Sequence, residues 1–236
     1  MGENRKVPSR KWTEYIVEFV VILFGIMFSF ILNEWRLTRN ARANEIGILE
    51  EIRMDLKVDS TEMAKQMVFF KTAIKAYGQL ITADENYSAI PKDTLDLNID
   101  LLVSYKVFPS QQKGYEKLKA SDNLSELLKD ELVPEIVDLY NSQYTLIKEW
   151  TYIDKVFVLE TMIPFLNANA PFILPPNQKY LYDSEILKEM KNKDHFKNLV
   201  KTGLVYKQTS HGVYQHNIEQ LGKVIATIDA FLADNQ

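Results

Sequence analysis

The chain of 236 residues has no cysteine. Disulfides, thiol nucleophiles and cysteine-ligated metals are therefore excluded, and the redox compartment stays open. Glycine and proline are scarce, at eight each, and no biased tract occurs, which leaves no room for a long flexible linker or a low-complexity tail. Histidine occurs three times. His211 and His216 are five residues apart and so lie on different faces of a helix, whereas a helical zinc pair needs a spacing of four and an acidic companion. His195 stands alone, so ordinary packed or surface histidines are expected, with no metal or other cofactor. An excess of positive charge is also missing. The formal net charge of −4 gives no electrostatic footprint for nucleic acid. There is no G-x-S-x-G elbow, Walker loop or dinucleotide glycine pattern, so the commonest serine esterases and nucleotide enzymes lack their signatures. With 46% hydrophobic and 25% charged residues, the chain fits neither disorder nor a multi-span transporter.

What is present begins with an apolar run. Tyr15 to Leu32 reads YIVEFVVILFGIMFSFIL, with Glu18 as its one charge. At 1.5 Å per residue it reaches about 27 Å, close to a hydrocarbon core of roughly 30 Å. Trp12 and Tyr15 at one end and Trp35 at the other suit the two membrane interfaces. A cleavable signal peptide is the competing reading. The run exceeds an ordinary signal core, and no small-x-small site follows it before Asn33-Glu34-Trp35-Arg36, so an uncleaved anchor is expected. This divides the chain into a basic tail (1–14), a transmembrane helix (15–32) and a soluble domain (33–236).

Orientation follows from the basic residues on either side of the run. Arg5, Lys6, Arg10 and Lys11 precede the run, and Arg36, Arg39, Arg42 and Arg53 follow it. The denser first set places the tail inside and the domain outside the cytoplasm. Within the span, Glu14, Glu18, Gly25, Ser29, Asn33 and Arg36 fall along one helical stripe. Gly25-x-x-x-Ser29 is a small-xxx-small pair, which lets helix backbones approach closely in lipid. Glu18, Gly25, Ser29 and Asn33 are therefore the candidate membrane-helix association residues. Three roles stand open for Glu18: snorkelling toward Lys11, self-association through the stripe, or a proton or ion pathway.

Beyond Trp35 the helical period persists. Leu49, Ile52, Leu56, Met63, Met67, Phe70, Ile74, Tyr77 and Ile81 follow steps of three and four, with Asp59 as a polar interruption. No proline lies between Pro8 and Pro91, so one helix is expected from about Glu14 to Thr82, with Gly47 as its weakest point. Shorter helices follow: Asp93 caps one through Leu102, and Pro109-Ser110 opens another to about Lys119. The Ser121-Asp122-Asn123 turn leads into a helix from Leu124, and Pro134 starts the next. In that helix Ile136, Leu139, Tyr140, Gln143, Leu146, Ile147, Trp150 and Ile153 form the expected stripe, which continues to about Phe165. Residues 167–178, with three prolines, are expected to be irregular. A last helix spans about His195 to Ala233, with Leu199, Tyr206, Val213, Ile218, Leu221, Val224, Ile225, Ile228 and Phe231 as its buried side. No strand alternation is convincing. The fold class is therefore all-α: a transmembrane helix continuing into a long helix, and an antiparallel bundle of three long helices with a layer of short ones.

Few residues invite chemistry. Asp55, Asp59 and Glu62 share a helical face, a pattern usual for a solvated stripe. Tyr105, Tyr115, Tyr140, Tyr144, Trp150 and Tyr152 either line a cleft or belong to the core, and helical spacing favours the core.

Two stretches together resemble a known group. The anchor, with Glu18 near its start, the VVILFGIMFSFILNEW core and the Asn33-x-Trp35 exit, is one of them. The other is Tyr115-Glu116-Lys117-Leu118-Lys119-Ala120-Ser121-Asp122-Asn123-Leu124, followed by Leu132, Ile136 and Leu139-Tyr140. Both resemble bacterial single-span proteins filed as a domain of unknown function, in which Asn-x-Trp ends the span and a Tyr/Phe-x-x-Leu-x-x-Ser-Gly-Asn-Leu turn follows. Asp122 stands where that group usually has glycine, and Val17 where its start often has glycine; aspartate tolerates a left-handed turn. The resemblance implies a shared fold and a Gram-negative inner-membrane setting, and it transfers no activity.

The expected role is an interaction protein. Its expected partners are the lipid bilayer and either a second copy or another membrane protein, not nucleic acid. A periplasmic ligand-binding sensor is the alternative; with about a dozen residues before the span, it would signal through a partner. An enzyme without a recognisable motif is the third class.

Overall fold

The computed structural model describes residues 12–84, 87–121, 132–169, 182, 184–187 and 190–234. Among them there is no strand, and the protein is all-α. The chain divides into two compact units, Met1–Ile48 and Leu49–Gln236.

Helix α1 (Trp12–Thr82) supplies all the described structure of the first unit and begins the second. It passes through Gly47 unbroken. One glycine costs about 1 kcal/mol relative to alanine, which a long helix absorbs. Near the N-terminus α1 is long and apolar enough to cross a membrane, and none of that apolar window is buried.

In the second unit, α2 (Lys92–Leu102) and α3 (Lys113–Lys119) follow, then α4 (Leu132–Asp138). A π turn (Leu139–Gln143) joins α4 to α5 (Tyr144–Phe157), and a second (Val158–Met162) joins α5 to α6 (Ile163–Asn169). A 3-10 turn (Ser184–Leu187) precedes α7 (Lys193–Asp234). Along α1 and α7, Arg53 pairs with Asp229, Gln66 meets Tyr214 at 2.5 Å, and Tyr77 lies against Gly203. Numbers rise on one helix as they fall on the other, so the two are antiparallel. The α4–α6 rod is likewise antiparallel to α7: Leu139 shares a cleft with Val224, Asp154 bonds Lys207, and Phe165 stacks on Phe196. The rod therefore runs parallel to α1.

Ile52, Leu56, Met63, Phe70 and Tyr77 of α1 are fully buried, so the apolar face expected for the long helix is consumed by the unit's own core. Gly203 is small of necessity, because a Cβ there would run into the rings of Tyr77 and Phe157.

Several sequence expectations need correction. Pro91, not Asp93, holds the N-cap position of α2, and Asp93 lies in its first turn. The helix expected from Pro109 begins at Lys113, because the backbone before it bonds to side chains of other helices. On the rod, Ile136, Leu139, Tyr140 and Ile147 of the expected stripe are buried, Gln143 and Trp150 are half-buried, Leu146 and Ile153 are exposed, and Tyr144, Thr151 and Asp154 take the interior beside them. The first π turn widens the helical repeat, so beyond it the buried face centres on Tyr144, Ile147, Thr151 and Asp154, and only the Ile147 side of the expected stripe stays inside. The second π turn precedes Pro164, whose ring would crowd the carbonyl of Glu160 in a regular helix. Residues 167–169, expected to be irregular, still belong to α6; the rest of the proline-rich stretch, Asp122, Asn123 and the helix expected at Leu124 lie outside the described residues. On α7, Tyr206, Val213 and Ile218 are half-buried, and Lys207, Ser210 and Asn217 take the interior.

Candidate functional site

Glu18, Gly25, Ser29 and Asn33 are all exposed on the first unit. Gly25, Ser29 and Asn33 line one shallow groove with Ile22, Ile26 and Phe30; Glu18 is not part of it. A Cβ at Gly25 would meet nothing within 4 Å, so the surface is open to close approach. The Ser29 hydroxyl donates to the Gly25 carbonyl at 2.8 Å, which satisfies its proton within its own helix. Arg36 donates to Asn33 Oδ1 at 3.5 Å, and Arg39 lies 5.6 Å over the Trp35 ring. Lys11, toward which the snorkelling reading would turn Glu18, lies outside the described residues.

The second unit holds a polar arrangement that sequence reasoning missed. Residues 104–112 form no helix or strand, yet Phe108 within them is buried. A buried irregular segment must find partners for its backbone groups, and here side chains from two helices supply them. Lys207 of α7 donates to the Ser104 carbonyl at 2.8 Å, and Gln66 of α1 donates to the Val107 carbonyl at 3.0 Å. Asp59 of α1 accepts from the Gln111 amide at 2.9 Å, and Asp55 accepts from the Gly114 amide at 2.7 Å. Asp55 thus caps the first turn of α3 from a different helix, in place of Gln112, which makes no side-chain cap bond. Glu51 continues the row by pairing with Lys113 at 2.6 Å and with Lys117. Those two ammonium groups hold the Glu51 carboxyl below its usual range. Gly114 allows this docking, since a Cβ there would stand 2.6 Å from the Ile52 nitrogen.

Glu51, Asp55 and Asp59, at steps of four, therefore form a seam that fastens one strap and the start of α3. The expected solvated stripe at Asp55, Asp59 and Glu62 is corrected accordingly. Its spacing was legible; what it faces was not.

Around Asp59 lies an aromatic layer. Tyr115 stacks on Tyr140 at 4.4 Å and donates to Asn141, while Tyr144 packs edge-on to Tyr140 and Phe108 at 5.0 Å each. Of the six aromatics singled out, Tyr115, Tyr140 and Tyr144 are core, whereas Tyr152 is exposed. Asp59 is 1% exposed, and its Oδ2 has no hydrogen-bond partner; the Tyr140 and Tyr144 hydroxyls also lack one. Tyr144 steadies the Asp59 charge without reaching hydrogen-bond geometry. Burial pushes the Asp59 carboxyl up to about 6, with the Gln111 amide and Tyr144 opposing.

A second polar centre is the ion pair of Asp154 with Lys207, 2.6 Å apart with both side chains wholly buried. Burial works against both charges, raising the Asp154 carboxyl and lowering the Lys207 ammonium, while their mutual attraction opposes it. Lys207 also lies 5.3 Å over the Phe69 ring. Among the described residues no three histidine, aspartate or glutamate side chains gather as a metal site.

No family model, curated protein or solved structure matches the chain.

Proposed function

We propose that this protein is a membrane-anchored helical assembly factor whose anchor packs against a second copy or another membrane protein. One observation carries the reading: on an apolar helix with no buried residue in its spanning window, Gly25, Ser29 and Asn33 open a groove. Lipid offers no hydrophobic drive between helices, so association depends on close backbone packing and polar contacts worth about 0.6–2 kcal/mol each. The Ser29 bond to its own helix places the weight on packing. The resemblance of the Asn33-x-Trp35 exit and the Tyr115–Leu124 stretch to single-span inner-membrane proteins supports the same setting, with the soluble unit in the periplasm. In this reading the Asp154–Lys207 pair has a structural role and no catalytic one, since both groups are sealed from solvent.

Substituting Gly25 and Ser29 together with leucine blocks close approach while keeping the span apolar. Light scattering in mild detergent should find the wild type oligomeric and the double variant shifted toward monomer. A wild type that is monomeric in detergent, with no homotypic crosslink in intact membranes, would sink self-assembly and leave a different membrane partner.

Orientation has its own test. Alkaline phosphatase fused after Gln236 should be active in a Gram-negative host, and a fluorescent protein that folds only in the cytoplasm should stay dark. The reverse pair of results would place the soluble unit in the cytoplasm.

A further inference from the structure

Four side chains bond backbone groups of the strap of residues 104–112 and of the start of α3, and they differ in one respect. Gln66 carries no charge, Lys207 is neutralised by Asp154, and Asp55 is only half-buried. Asp59 is a fully buried carboxylate with no ion pair among the described residues. One of its oxygens fastens the Gln111 amide, and the other is buried without a donor beside two phenols that also lack partners. An ionised carboxylate pays heavily for such a place, whereas a protonated one is neutral and brings a donor of its own. Its surroundings hold little compensating charge. Asp55 of the same helix repels it; Tyr140, Tyr144 and Lys148 face it from the π turn and α5; Tyr115 of α3 lies behind Tyr140, and Tyr214 of α7 lies behind Phe108. The π turn itself brings both unpartnered phenols to this point, and π turns recur at functional positions.

We propose that Asp59 is a proton-operated latch on the strap: proton uptake tightens the docking of residues 104–112 and α3 on α1, and proton loss loosens it.

The carboxyl titrates near 6 when docked, against an ordinary 3.8. A group whose docked value is raised favours the docked state below its free value, and that advantage disappears as pH rises through the docked value. The Glu51 pairs with Lys113 and Lys117 need an ionised carboxylate, and Glu51 stays ionised below its usual 4.5. The strap is therefore held most firmly in the acidic interval below about 6 and above the titration of Glu51. A periplasmic unit meets that interval whenever the medium acidifies, although the latch does not depend on how the anchor assembles.

Hydrogen–deuterium exchange of the full chain in detergent, at about pH 5 and about pH 7.5 and corrected for intrinsic rates, reads the latch directly. Protection of the peptide holding Gln111 and Gly114 should be about tenfold greater at the acidic pH, the linkage factor for one pH unit below a midpoint of about 6. Asp59→Asn should abolish the difference and Asp55→Asn should keep it. Equal protection at both pH values in the wild type, or an unchanged difference in Asp59→Asn, would overturn the proposal. Should Asp59→Asn fail to fold, Tyr144→Phe decides. Loss of the hydroxyl that steadies the charge raises the midpoint and enlarges the acid-to-neutral ratio, and an unchanged ratio would refute the latch.

Discussion

Replacing Lys207 with methionine should destabilise the second unit by about 3–5 kcal/mol, the cost of leaving one member of a buried pair without its counter-charge. Asp154 would remain in a site with no solvent exposure, and the Ser104 carbonyl would lose its donor. Chemical denaturation of the full chain in detergent, followed by circular dichroism, measures the loss. Its pH dependence separates the charge from the packing. Without Lys207, Asp154 takes up a proton to remain buried, so its carboxyl rises further. The folded state then binds the extra proton, and the loss should shrink as pH falls and grow as pH rises. Adding Asp154→Leu should restore much of the stability, because apolar replacement of a whole buried pair is often neutral. The orphaned Ser104 carbonyl should still hold back about 1–3 kcal/mol. A single-variant loss below about 1 kcal/mol would mean that water reaches the pair in solution.

Leu118→Ala should cost about 2–5 kcal/mol, the range for emptying a buried leucine site. Leu118 is 1% exposed on a helix of seven residues, too short to persist by its own hydrogen bonds. Helix α3 stands because Leu118 and Tyr115 are buried, Asp55 caps its start, and Glu51 draws in Lys113 and Lys117. Deleting the leucine side chain removes the apolar part of that attachment. The same denaturation series measures it. A loss under about 0.5 kcal/mol, the scale of ordinary surface substitutions, would show that the segment is a loose surface loop. The Tyr115–Leu124 resemblance would then carry no packing information.

Helix and its limits were readable wherever period, proline and length agree. The long first helix was expected to end at Thr82 and does so; the last was expected over 195–233 and spans Lys193–Asp234. Buried faces were less readable where the interior is polar. Period reading names a buried face by its apolar residues, so Gln66, Asp154, Lys207, Ser210 and Asn217 go unnamed and Asp59 enters that face only as an interruption, yet all are buried. Two signals for this were present. Asp59 interrupts an otherwise regular apolar line, and Gly203, Lys207, Ser210, Tyr214 and Asn217 recur at steps of three and four on the last helix. The second is a stripe whose residue types conceal its role, because each polar group becomes tolerable inside only when a partner from another element is known.

Whatever depends on neighbours along the chain was written in the order of residues: an all-α fold, an apolar run of membrane length, and the small-polar stripe of Gly25, Ser29 and Asn33. Tertiary structure alone decided which polar side chains meet. Asp154 and Lys207 are 53 residues apart, and Asp55 and Gly114 are 59 apart. The first π turn sets the face of the rod that turns Asp154 inward. Helical period is a local property and is written in every turn. Satisfying a buried carboxylate or a non-helical strap depends on distant donors and acceptors, which come together only once the chain has folded.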